Sequence, residues 1–141
     1  MARNQVPSLV SGGNIYPCRF VKQSAAADYR GLQCGANEVS LGISHEGTNY
    51  PPLSDLAVSA YHAASGDPIG LYGEGEECLL LAGDTIVRGN RIKSDADGKG
   101  VPVLTVGTVV QNVGAIAQES CASGSMFRVQ IRHESVRPAL A

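Results

Sequence analysis

Apolar and polar residues alternate most cleanly near the end of the chain, where Phe127, Val129 and Ile131 are separated by Arg128, Gln130 and Arg132. Successive side chains on an extended strand point to opposite faces, so this period of two predicts a strand with one buried face. Upstream, short apolar runs recur at Ile69–Tyr72, Cys78–Ala82, Thr85–Val87, Arg91–Lys93, Val101–Val110 and Gly114–Gln118. They are parted by GEGEE, AGD, RGN, DADGKG and NVG, each holding residues that tolerate turn geometry. Strand-length runs every ten residues or so predict an all-β fold, either a small β-barrel or a β-sandwich of short strands.

The first half of the chain is less regular. IYPCRFVK (residues 15–22) predicts a strand in which Pro17 marks an edge or a bulge, because proline donates no ladder hydrogen bond. RGLQCG and EVSLGIS are two further strand candidates. Residues 46–55 are rich in turn formers, and Pro51-Pro52 rules out regular helix there. Two readings stand for residues 53–64: a helix capped by Ser54, or a strand in which Leu56, Val58, Ala60 and His62 alternate with Ala57, Ser59 and Tyr61. Residues 1–14 predict an extended N-terminal arm, frayed or laid on a partner, whose apolar contacts are Val6, Leu9 and Val10. Residues 133–141 form a polar C-terminal tail expected to fray, which leaves residues 15–132 as a single β-rich domain.

Composition narrows the class of function. With 17 Gly, 7 Pro, 5% aromatics and no Trp, the core is aliphatic and thin, and oligomerisation is expected to supplement it. A net charge of −2 from 11 basic and 13 acidic residues argues against nucleic acid as a partner, since phosphate binding needs a concentrated basic face. No apolar stretch reaches transmembrane length and the first residues lack a signal-peptide core, so no membrane partner and synthesis in a host cytoplasm are expected. Cys18, Cys34, Cys78 and Cys121 form no CxxC pair and are expected reduced and mostly buried.

Candidate chemistry is thin. Asp95-Ala96-Asp97-Gly98 shares D-x-D-G with a calcium loop, but the twelfth position, where that loop needs a bidentate Glu, is Val106. A tight turn with Gly98 at positive φ accounts for the same residues. Ser44-His45-Glu46 and His133-Glu134-Ser135 place triad residue types side by side, yet strand neighbours face opposite ways. GEGEE carries three carboxylates that would repel phosphate, so it reads as an acidic hairpin loop. We expect no catalytic residue, metal or cofactor. A small domain of this kind works through its surface.

The stretch SAYHAASGDPIGLYGEGEECLLLAGDTIVRGNRIKSDADGKGVP, followed by VGTVVQNVGAIAQESCASGSMFRVQI, resembles the small head-decoration (cement) proteins of tailed bacteriophages. The likeness covers residues 59–132 and, more weakly, 15–45. It implies a compact β-domain on the outer capsid surface of a virion, a homotrimer that stabilises the head by clamping neighbouring subunits of the major capsid protein. An arm would reach over those subunits, with Val6, Leu9 and Val10 as its anchors. A small β-domain of a phage spike, tail or baseplate is the second reading. A hydrolase using Ser44, His45 or His133 is the third, and a small-ligand binder would use the pocket of a barrel.

Overall fold

The computed structural model describes residues 9–46, 62–104 and 107–137, and every regular element within them is a strand. Strands β1 (Val10–Ser11), β2 (Phe20–Gln23), β3 (Arg30–Gln33), β4 (Gly42–Ser44) and β5 (Leu71–Tyr72) form one sheet in the order β1-β3-β2-β4-β5. Strands β6 (Glu77–Leu81), β7 (Arg91–Ser94), β8 (Gly100–Pro102), β9 (Gln111–Ala117) and β10 (Met126–Val136) form the other, in the order β6-β10-β9-β7-β8. The all-β expectation therefore holds.

The first sheet curls until it meets itself. β5 pairs antiparallel with β4, while the residues just before it reach β1: the N–H of Ser11 donates to Asp67 O at 2.8 Å and that of Ile69 to Leu9 O at 3.0 Å. β1 lies parallel to β3 on its other side. Residues 9–11 are thus the stave that closes a small barrel. Its interior is filled by Val21 and Ile69 over Gly31, where a Cβ would stand 2.7 Å from Ile69 Cδ1. The part of the expected arm from Leu9 onward is built into the domain.

The second sheet carries the alternation seen in the sequence. Phe127, Val129 and Ile131 of β10 are buried, and with Leu80 and Ile92 they pack against Phe20 and Ile43 of the first sheet in one shared core. β2 is buried on both faces for this reason: Phe20 looks into the shared core and Val21 into the barrel. Ala82, just after β6, forms a parallel bridge with Gly100 of β8, so this sheet also curls.

Several boundaries differ from the sequence expectation. The strand predicted over 101–110 is only β8, which ends at Pro102 opposite Ile92; one further bond, from the Val103 N–H to Arg91 O at 3.0 Å, follows it. NVG is no turn but the middle of β9: Asn112 is held by Asn37, and Gly114 makes room for the Phe20 ring. β10 runs past Ile131 to Val136 because an extra residue between Ile131 and Glu134 resets its register against β9. Thr85–Val87 supplies only one bridge, Ile86 to Cys121. The question of helix or strand over residues 53–64 falls outside the described residues as far as Tyr61, and Ala63 bridges Ile15.

All four cysteines are free, and Cys18, Cys34 and Cys78 are buried. Burial pushes their thiols up, to about 11 for Cys18 and about 12 for Cys34 and Cys78. An aromatic disulfide reagent at pH 8 is expected to titrate Cys121 quickly and the other three only after denaturant, because the thiolate is the reactive species. The same raised values make stability fall as pH rises above about 9, where unfolded thiols ionise while folded ones keep their protons. Urea midpoints at pH 8 and pH 10 check the direction.

Candidate interaction surface

Residues nominated by sequence are mostly held in structural roles. Leu9 is 6% exposed and Val10 pairs with Arg30 in the sheet, while Val6 lies outside the described residues. Ser44 is buried, donates its hydroxyl to Tyr16 O at 2.7 Å and accepts the N–H of Arg19 at 3.1 Å. The His45 ring lies 4.4 Å from that of Tyr72, and His133 Nδ1 pairs with Glu74 at 2.6 Å on the other sheet. Each of the three thus engages a different partner. The acidic GEGEE loop completes the sheet beside the bulge, since Gly75 donates to Ile131 O at 2.8 Å and Ile131 to Glu76 O at 2.9 Å.

The D-x-D-G segment is a turn. Asp95 Oδ1 accepts the N–H groups of Asp97 at 2.8 Å and Lys99 at 2.9 Å, and Gly98 has φ +77. The turn also fastens the two sheets together: Gly98 O accepts from the N–H of Phe20 at 2.9 Å, and Asp97 O accepts from Arg19 Nη1 at 2.9 Å and Gln33 Nε2 at 2.8 Å. No group of three or more potential metal ligands occurs among the described residues.

One group of exposed apolar side chains lies on two adjoining loops. Val39 is 67% exposed on the loop between β3 and β4; Leu104 at 55%, Val109 at 61% and Val110 at 39% lie on the loop between β8 and β9. Exposed apolar side chains grouped together mark a surface that another molecule can cover, and the positions flanking these are tied down by hydrogen bonds. Asn37, at φ +55, donates through Nδ2 to Val110 O and accepts two bonds from Asn112, from its N–H to Oδ1 and from its Nδ2 to the backbone O, each at 2.9 Å. Asparagine is among the few residues that enter this left-handed region readily, and its short amide reaches the facing chain.

Buried Gln111 holds the second loop from beneath. Its Nε2 donates to Val109 O at 3.0 Å, and its Oε1 accepts from Lys93 Nζ at 2.6 Å and from the N–H of Leu104 at 3.4 Å. Glu38, next to Val39, is turned inward onto Lys22 Nζ at 2.5 Å and the N–H of Gly35 at 2.7 Å. The Lys22 hydrogen bond holds its carboxyl below the usual range. Its charge is thus paired where it borders the valine surface. A shallow cleft of about 190 Å³ runs from Val39 to the bulge residues His133, Glu134 and Ser135. Sequence reading missed this surface because residues 101–110 look like a core strand. The available signal was the absence of any charge between Lys99 and Glu119.

No protein-family model and no curated protein matches the chain. Among solved structures it is similar to the head fiber gp8.5 N base of bacteriophage phi29, with a TM-score of 0.60 and 16% sequence identity. The alignment covers 92% of this chain and 95% of that one. At that identity the likeness is one of fold, which the chain shares with the base of a phage head fibre.

Proposed function

We propose that this chain is a structural protein of a phage virion that docks on the outer surface of the head, contacts the major capsid protein and stabilises the shell as a homotrimer. The observation that carries the reading is the fold-wide likeness to a head fibre base, found in a chain whose second half also resembles head-decoration proteins. The likeness to a head component favours the head over a spike, tail or baseplate. The valine-bearing loops supply a docking face with suitable chemistry: apolar, and anchored at Val109 and Val110 by side-chain amides, so less ordering entropy is lost there on binding. Clamping follows from simple mechanics. Each bound copy adds interface that must be broken before neighbouring subunits part, and many copies sum.

The test is co-sedimentation with expanded, undecorated heads of the phage that encodes the chain. Saturable binding is expected, weakened at least about tenfold by Val39→Glu with Val109→Glu, since a charge buried unpaired in an interface costs several kcal/mol. Val87→Glu, an exposed site on another loop, is the control and should bind as wild type. Absence of binding by the wild-type chain would sink the head reading. Equal binding by both variants would move the contact away from these loops.

A further inference from the structure

The closing stave of the barrel is the element through which copies of this chain can be joined without any new interface. We propose that residues 9–11 are exchanged between copies, so that the slot between β3 and residues 67–69 of each barrel holds the stave of a neighbour. The inference rests on the oligomeric reading given above.

The slot is defined by main-chain bonds. On one side the N–H groups of Val10 and Gly12 donate to Tyr29 O and Gly31 O, each at 2.9 Å, and on the other Ser11 and Ile69 bond across to Asp67 and Leu9. Its side-chain requirements are modest: a buried apolar residue at the position of Leu9 and a fully buried small one at that of Ser11. Any extended segment with that pattern fits, and the segment most available at equal complementarity is the same stretch of another copy. The stave also lacks the usual tie. It runs parallel to β3, so no tight hairpin fastens it, and Gly12-Gly13 follow immediately. A two-glycine joint next to a two-residue strand is where rotation of the strand out of its own barrel costs least. Exchange keeps the ladder bonds of the closed barrel and gives up only the local bonds between Ser11 Oγ and Gly13 in the joint, which a gain at the new junction must offset.

Val10 and Pro68 face each other across the seam as a bridge pair without mutual hydrogen bonds, the arrangement with the closest Cα atoms, about 4.5 Å. Val10→Cys with Pro68→Cys in a Cys121→Ser background therefore places two thiols within disulfide reach at the seam. The full chain is oxidised at the concentration where light scattering reports its oligomer, then run on a denaturing gel without reductant. Exchange predicts covalent ladders up to the oligomer size. An oligomer that yields only internally linked monomers overturns exchange and leaves the oligomer reading intact. A sample that is monomeric by scattering throughout overturns both. If the double variant folds poorly, a photoreactive benzophenone amino acid at Val10 alone reports the same neighbour, with crosslinked dimer expected and crosslinked monomer against the proposal.

Discussion

Phe20→Ala is expected to cost about 4 kcal/mol and Gly114→Ala about 2 kcal/mol, with the double variant losing at least about 1 kcal/mol less than their sum. Phe20 is 1% exposed and belongs to the core that joins the sheets. A Cβ built on Gly114 would stand 2.5 Å from Phe20 Cε1 and 2.8 Å from Ser40 Oγ. β9 is paired on both flanks, with β10 and with β7, so it cannot retreat from the ring. The methyl group must therefore displace the phenyl ring, which explains the cost of the single change. Once the ring is gone, the same methyl group occupies part of the cavity, which explains the rescue. Urea unfolding of the four proteins measures the cycle. Additivity within about 0.5 kcal/mol would mean that ring and glycine do not meet.

Gly98→Ala is expected to destabilise the fold by about 3 kcal/mol, combining the left-handed backbone penalty of about 1–2 kcal/mol with steric displacement. Gly98 has φ +77, and its Cβ would come within 2.9 Å of Gln33 Cγ and 3.3 Å of Phe20 O. The displaced turn would loosen the bonds that Asp97 O and Gly98 O accept from the first sheet. Thermal unfolding should report a lowered midpoint for this variant. The wild-type midpoint should be unmoved by calcium or by a chelator, since Asp95 Oδ1 is already engaged by two backbone N–H groups. A calcium-dependent midpoint would restore the cation-loop reading of this segment.

Local patterns carried well from sequence to fold, and long-range ones did not. The bulge in β10 is invisible in FRVQIRHESV because the extra residue is defined only against Ala115 and Val113 on the partner strand. Residues 103–110 carry valines at strand density, yet β8 ends at Pro102 and β9 begins only at Gln111. The docking surface was hidden for the same reason: an exposed valine and a core valine are one letter. What separates them is the amide network of Asn37, Gln111 and Asn112, whose members come from loops and strands far apart in the chain.

By itself the sequence determined the elements whose physics is local. The all-β class, the buried face of β10 and the Asp95–Gly98 turn follow from side-chain alternation and from the few residues that accept turn geometry. Tertiary structure alone decided that Leu9 to Ser11 close a barrel, that two curled sheets share one core through Phe20, and that Val39, Leu104, Val109 and Val110 are left facing water. Backbone hydrogen-bonding groups are nearly the same at every residue, so pairing between distant segments is chosen by which arrangement buries the whole core at once.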